Sequence, residues 1–236
     1  MPYHIKARPE DVGELVIGVG DPARAALFAE RIGAQLVNKH RYPVYTGLYK
    51  GSRVTIVGHG IGGPSIAIAL EELRSLGMRK FIRIGTAGSL GDLRPGDVVV
   101  AASSAAKCGG LFSAYMGDFC PPLSPSPLLT AKLYEALKGL GGRLGLVISS
   151  DAFYAEGADA VRLWRSWGAL AVEMECATAM ALGWLRGFEV GCVLVISNIV
   201  GGPAAEDLTK RFLEVFDAVL EVVGGSSSSP LSSGSP

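Results

Sequence analysis

Phe81-Ile82-Arg83-Ile84-Gly85-Thr86-Ala87-Gly88-Ser89 is an apolar run that leads into glycines, two hydroxyls and one guanidinium. Residues 81–84 read as a buried strand, and the segment from Gly85 onward reads as a Gly-rich turn at its end. A strand that ends in such a turn belongs to an α/β sheet, in which ligands sit beyond the carboxyl ends of the strands. The turn asks for an anion. Arg83 offers a bidentate fork and Thr86 a hydroxyl, while Gly85 and Gly88 let backbone N–H groups approach a phosphate that a Cβ would hold away. Because Arg83 interrupts an apolar strand, its charge needs a partner, and both an anion and a structural carboxylate satisfy that need.

Upstream, residues 15–19 form an apolar strand that meets Gly20-Asp21-Pro22, and a short helix to about Ile32 follows, with Pro22 in its first turn. Residues 45–49 and 53–57 are β-rich and flank Lys50-Gly51-Ser52 as a hairpin, which makes the sheet mixed. The second of these runs feeds Gly58-His59-Gly60-Ile61-Gly62-Gly63, and Pro64 starts a helix with Ile66, Leu70, Leu73 and Leu76 on one stripe, ended by Gly77. Downstream, residues 97–101 form a strand, and residues 103–125 are a Gly/Pro-punctuated stretch expected to cover a site or a subunit contact. Ser126-Pro127 caps a helix that runs to Leu140, and residues 144–149 are a strand ending near Asp151 and Phe153. Residues 169–172 lead into Glu173-Met174-Glu175 and a helix to about Leu185; residues 190–196 are a strand ending at Ser197-Asn198; a last helix carries Leu208, Phe212, Phe216, Val219 and Val223. Residues 224–236 are Gly, Ser, Pro and a single Leu, a composition that predicts a disordered tail after a domain of residues 1–223.

Composition narrows the function. The chain has 236 residues, 22 Lys plus Arg and 22 Asp plus Glu, so no overall field draws it to nucleic acid or to an anionic membrane, and a cationic site has to be built locally. No apolar run approaches the ~20 residues of a spanning helix. Cys108, Cys120, Cys176 and Cys192 form no CxxC pair, and the N-terminal residues lack a signal-peptide run, so a reducing cytoplasm is the expected setting. His4, His40 and His59 have no ligand spacing, so no metal is expected.

Gly18-Val-Gly20-Asp-Pro-Ala23 and Gly58-His-Gly60-Ile-Gly-Gly63 both follow strands and resemble dinucleotide fingerprints, yet neither is followed about 20 residues on by the acid that holds a ribose. Arg24, in the first turn of its helix, joins Arg83 as a second cation for one small anion, or else is a solvated helix residue. Glu173 and Glu175 suit the start of a helix through its dipole; one carboxylate also suits a vicinal diol, with Met174 against a sugar face. Asp151 and Asn198 end strands, where turn-forming Asx residues are common.

Taken together, His4-Ile5, Val19-Gly20-Asp21-Pro22-Ala23-Arg24, Gly60-Ile-Gly-Gly-Pro-Ser65, Glu71-Glu72-Leu73, Arg83-Ile-Gly-Thr86, Ser149-Ser-Asp-Ala-Phe-Tyr-Ala-Glu156 and Val172-Glu-Met-Glu-Cys-Ala-Thr178 are specific. With them the chain resembles the hexameric purine nucleoside and uridine phosphorylases of the nucleoside phosphorylase superfamily, most closely the archaeal purine nucleoside and methylthioadenosine phosphorylases, over about residues 3–223. The resemblance implies a single α/β domain of the phosphorylase/hydrolase-like kind: a mixed central sheet curled toward a barrel, flanked by helices and assembled from dimers into a hexamer. It implies that Gly20, Arg24, Arg83 and Thr86 hold phosphate, joined by Arg41 across the dimer contact. His4, also from across that contact, Met174 and Glu175 would hold the ribose, with Phe153, Glu173, Ser197 and Asn198 on the base.

The implied reaction is reversible phosphorolysis of a purine nucleoside to free base and ribose 1-phosphate, with inorganic phosphate as co-substrate and no cofactor. Arg83 and Asn198 are the residues expected to carry the catalysis. The Gln and Arg with which uridine phosphorylases read uracil are replaced by the stretch Ala155-Glu156-Gly157-Ala158-Asp159, and the Arg after the Asn is Ile199. Asn198 stands where adenosine-accepting enzymes of the family carry a proton-delivering Asp. A carboxamide cannot deliver a proton at neutral pH but can match O6 and N7 of a 6-oxopurine, so the expectation leans to inosine and guanosine. Methylthioadenosine and uridine phosphorylases are alternatives within the family, a hydrolytic nucleosidase is a rival enzyme, and a dinucleotide-binding module is a rival of another class.

Overall fold

In the computed structural model, which describes residues 2–224, the order along the chain is β1 (Leu15–Val19), α1 (Pro22–Arg31), β2 (Gln35–Asn38), β3 (Val44–Tyr49), β4 (Ser52–Gly58), α2 (Gly63–Ser75), β5 (Lys80–Ser89), β6 (Val98–Ala105), α3 (Leu111–Met116), α4 (Pro127–Leu137), β7 (Arg143–Ser149), α5 (Ala158–Ser166), β8 (Ala171–Glu173), α6 (Cys176–Arg186), β9 (Glu189–Ile199) and α7 (Thr209–Val223). All nine strands join one sheet in the order β2-β3-β4-β1-β5-β8-β7-β6-β9, and β9 also pairs with β5. That pairing closes β5, β8, β7, β6 and β9 into a five-stranded barrel, from which β1, β4, β3 and β2 extend as an open wing. The sheet is mixed: β1, β4, β5 and β9 run parallel, while β3 opposes β4 and β6 opposes β9. This is the single α/β domain with a barrel-like mixed sheet that the resemblance implies.

The opening motif differs from its reading. Residues 85–89 are not a turn: β5 runs unbroken from Lys80 to Ser89, in parallel register with β9 from Lys80↔Glu189 to Ser89↔Ile199 and with one shift at Ala87/Gly88. Its glycines are spaces for side chains. A Cβ on Gly85 would lie 2.5 Å from the Arg83 Cζ, and one on Gly88 would lie 2.9 Å from Val200 Cγ2. Gly85 thus lets the Arg83 side chain fold forward along its own strand.

The hairpin forms as expected: Lys50 and Gly51 both have positive φ, 49° and 80°, as a two-residue loop between twisted strands demands. Two expectations shift. Ser126 makes no cap with its side chain; its Oγ accepts the Val190 N–H at 2.9 Å, and α4 ends at Leu137, before a three-residue 3-10 turn to Leu140. The sequence reading also missed α5, which buries none of its residues, and the edge strand β2.

Alternation along β5 sorts the core. Phe81 and Ala87 pack with α2 and α6 on one face of the sheet, while Ile82 and Ile84 pack with α1, α4 and α7 on the other, where Phe28 stacks on Phe216 at 4.2 Å. Within residues 103–125, Ser104 N–H donates to Leu123 O at 2.9 Å, and Phe112 of α3 packs on Ala177 and Ala181 of α6. Cys108 and Cys120 are exposed thiols, and Cys176 and Cys192 are buried ones. Among the described residues no helix is long and apolar enough to cross a membrane. Apart from Gly224, the proposed tail lies outside the described residues.

Candidate active site

A cleft of about 1110 Å³ opens where β1, β4, β8 and β9 end, and the second half of β5 runs along its floor. Arg83 is only 3% exposed, yet it belongs to this wall. Its Nε donates to Glu173 Oε2 at 3.2 Å and its Nη2 donates to Glu175 Oε2, while Nη1 has no hydrogen-bond partner. Of the two partners that the sequence left open, the structure shows the carboxylates: Glu173 and Glu175 neutralise the guanidinium, and its buried Nη1 has no hydrogen-bond partner. Against the effect of burial, the adjacent carboxylates hold the guanidinium above its ordinary pKa, so it stays charged.

Arg24 reaches the cleft from the opposite face of the sheet. Asp21 caps α1 by accepting the Ala23 N–H at 2.8 Å, Pro22 opens the helix, and Arg24 follows in its first turn with its guanidinium 3.9 Å above the Phe212 ring. Burial lowers its pKa, against the Asp21 carboxylate and with the neighbouring Arg83 charge, and it forms no ion pair among the described residues. The two arginines thus line one cleft, near enough for the Arg83 charge to act on Arg24. Thr86 and Gly20 line the same part of the cleft; a Cβ on Gly20 would stand 3.2 Å from Gly60 O.

Glu175 sits at the start of α6, is 3% exposed, and accepts the Gly62 N–H on Oε1 at 2.5 Å in addition to Arg83 on Oε2. Each oxygen keeps a lone pair, so the carboxylate can still accept two hydroxyls. Burial lifts its carboxyl above the ordinary range against the pull of Arg83. Gly62 has φ 93°, which aims its N–H at this carboxylate. Half-buried Met174 lines the wall beside it.

Glu173 departs from the expectation that it meets a base. Its oxygens accept from Arg83, from Ser149 Oγ, and from the N–H groups of Glu175 at 2.8 Å and Cys176 at 2.9 Å, so it is spent on fixing Arg83 and the first turn of α6.

At the other end of the cleft stand Phe153 and Tyr154, exposed and edge-to-face at 5.2 Å, with Glu156, Ser197 and Asn198. Asn198 Oδ1 accepts from Ser197 Oγ at 2.9 Å, and its Nδ2 donates to Ile199 O at 3.1 Å. Gly88, in register with Asn198, lies three residues beyond Gly85, about 10 Å along the strand at ~3.3 Å per residue. That length separates the guanidinium from the Asn198 end.

Within one chain, His4 and Arg41 do not enter the cleft. The His4 Nδ1 lies 2.9 Å from Glu72 Oε1, and the same carboxylate accepts the N–H groups of Tyr3, His4 and Ile5; Arg41 is exposed, with φ 59°. Asp151 is exposed and does not line the cleft. Among the described residues no group of three or more His, Cys, Asp or Glu is placed to hold a metal ion.

The sequence reading gave no role to His59, which is fully buried at the end of β4 with both ring nitrogens unpartnered, 6.5 Å from the Phe81 ring. Its only signal in the sequence was its place at the end of an apolar run. Burial, then the Arg83 charge, hold the imidazole well below the ordinary histidine range, so it is neutral in the fold. The unfolded chain binds a proton there and the folded one does not, so this residue lowers stability as pH falls through about 6.5, the ordinary value, and has no effect well above it. We expect His59→Gln to flatten the loss of stability between pH 7 and 5 by up to ~1.4 kcal/mol per pH unit, read from urea unfolding of both proteins. Equal slopes in the two proteins would contradict a buried neutral His59.

The model of the phosphorylase superfamily matches residues 14–225. The chain is similar to a DeoD-type purine nucleoside phosphorylase of Caldanaerobacter subterraneus subsp. tengcongensis, at 36% identity over 231 residues that cover 94% of this chain and 100% of that one. It is also similar to a guanosine phosphorylase of Halorubrum lacusprofundi, at 36% identity and 84% of each chain. Its fold matches the crystal structure of the purine nucleoside phosphorylase of Toxoplasma gondii in complex with immucillin-H, with a TM-score of 0.82 and 29% identity over 94% of this chain and 96% of that one. A barrel that carries two arginines and a buried carboxylate in one cleft, matched along its length by these relatives, is a member of the phosphorylase superfamily.

Proposed function

We propose that this chain is a purine nucleoside phosphorylase: it joins inorganic phosphate to C1′ of a purine nucleoside and releases the free base and (deoxy)ribose 1-phosphate. The observation that carries this reading is the unpartnered Nη1 of buried Arg83 beside the unpaired Arg24, in the same cleft as Glu175. Arg24, Arg83, Thr86 and Gly20 hold phosphate under the anomeric carbon, and Glu175 and Met174 hold the sugar, so the attack becomes an oriented one. As the C1′–N9 bond breaks, its electron pair leaves with the purine, and the anion steadies the oxocarbenium-like ribosyl centre. Phe153 stacks on the base and Asn198 supports negative charge at O6 and N7, which favours 6-oxopurines; relatives named for purine nucleosides and for guanosine fit that preference.

The reaction needs no cofactor beyond phosphate. His4 and Arg41, outside the cleft of their own chain, are proposed to reach a neighbouring subunit's cleft in a hexamer built from dimers. The unpaired thiols fit a cytoplasmic setting.

The test is release of base from inosine, guanosine, adenosine, methylthioadenosine and uridine, each with and without phosphate. We expect phosphate-dependent turnover of inosine and guanosine, at least tenfold faster than of adenosine or uridine. Release that ignores phosphate would make the protein a nucleosidase instead.

A further inference from the structure

Each of the four cysteines lies beside another. Cys176 and Cys192, fully buried in one core cluster, share a hydrogen bond, and so do the exposed Cys108 and Cys120. The fold itself brings the exposed pair together. Ser104 N–H donates to Leu123 O at 2.9 Å and ties the two arms of this loop at its base, with Cys108 and Cys120 just inside the tie. Ala106 from one arm and Leu123 from the other pack on the cluster of Phe112, Ala177 and Ala181. Between the cysteines runs α3, with Gly110 and Gly117 at its ends in positive φ, 52° and 63°, where the chain turns back. Phe112 is the buried residue of α3, and so short a helix has little stability of its own, so its seat on α6 depends on how firmly the loop is closed.

The two pairs differ in access. Burial holds the Cys176 thiol well above its ordinary pKa, which keeps it protonated and inert, whereas Cys108 and Cys120 are open to solvent. We propose that Cys108 and Cys120 are a reversible intrachain disulfide site, which closes the loop of residues 108–120 and clamps α3 on α6. The oxidant is a low-molecular-weight disulfide. One cysteine thiolate attacks a sulfur of that disulfide and the first small thiolate leaves; the other cysteine then attacks the protein sulfur of the mixed disulfide and the second small thiolate leaves. The protein gives up two electrons and two protons, and the small disulfide becomes two thiols. Under reducing conditions the same exchange runs backward and the pair rests as thiols.

The test treats the full chain with oxidised glutathione or with dithiothreitol, alkylates it and digests it with trypsin. No Lys or Arg lies between Lys107 and Lys132, so both cysteines fall in the one peptide of residues 108–132. After oxidation we expect this peptide to be two hydrogens lighter and unalkylated, the chain to run as a monomer on a non-reducing denaturing gel, and Tm to rise by about 6–12 °C, as a cross-link over a loop of this length gives in a chain of this size. Dithiothreitol reverses the mass change and the rise in Tm. Cys108→Ser and Cys120→Ser, both at exposed positions, fold as wild type does and show no rise with the oxidant. Four alkylated thiols after oxidation, glutathione retained on both cysteines, chains joined through Cys120, or a closed ring with unchanged Tm would each overturn the proposal.

Discussion

Arg83→Met abolishes phosphorolysis and destabilises the fold by about 3–5 kcal/mol, the cost of leaving buried charges without their partner. The guanidinium is 3% exposed and is the ion-pair partner of two carboxylates that are themselves buried, Glu173 and Glu175. Without it the buried Glu175 carboxyl, which burial already lifts, loses the Arg83 charge that pulls it down, so its folded pKa rises further above the unfolded one. An acid raised in this way penalises the fold above its unfolded pKa and not below it. The deficit of the variant against wild type therefore shrinks as pH falls toward about 4, which thermal unfolding across pH 4–8 reads directly. Because a weakened fold alone lowers activity, Arg83→Lys is the companion. It keeps a charge between the carboxylates but has no planar fork, so the fold survives while KM for phosphate rises at least tenfold. An unchanged KM for phosphate in a folded Arg83→Lys protein would remove Arg83 from the phosphate site.

Glu175→Gln is the second large effect, and it separates sugar from phosphate. The amide is nearly isosteric and can still accept one of the N–H groups that Gly62 and Arg83 now offer, so the fold loses only ~1–2 kcal/mol. What is lost is a charged acceptor for two sugar hydroxyls. Hydrogen bonds to charged groups are worth about 1.5–3 kcal/mol each, so kcat/KM for inosine falls about 10²- to 10⁴-fold. For 2′-deoxyinosine one of those hydroxyls is absent from the start, and the fall is smaller by roughly tenfold. Equal losses for the ribo- and deoxyribonucleoside would place O2′ elsewhere.

Much of this site was legible in the chain because it consists of local interruptions. A guanidinium inside an apolar strand, two acids at a helix start and an amide at a strand end each violate a local pattern, and each lines the cleft. What was misread depended on distant partners. Gly85 looked like a turn residue because glycine permits turns, but the strand persists through it, held by ten paired positions on β9, and the missing Cβ makes room for Arg83. Glu173 was expected on the base and Glu175 on the ribose; what Glu173 does instead came from which N–H groups and which arginine atom reached it. Helix α5 escaped notice because its core-facing stripe is short: Val161 and Trp164, only half-buried, pack on the small cluster of Leu90, Ile148, Ala169 and Val172.

By itself the sequence determined the alternation of strands and helices, the mixed character of the sheet, the neutral overall charge and the presence of an anion-seeking arginine, since all of these depend on residue type and short-range spacing. Only the tertiary structure decided that β9 closes on β5 to make a barrel, that Arg24 and Arg83 arrive from opposite faces, and that His59 is buried uncharged. It also decided how much of Arg83 stays free. That balance is set by carboxylates 90 and 92 residues away, which occupy Nε and Nη2 and leave Nη1 open. The physical reason is that hydrogen-bond capacity belongs to the residue, whereas its occupancy belongs to whatever the packed chain brings within about 3 Å.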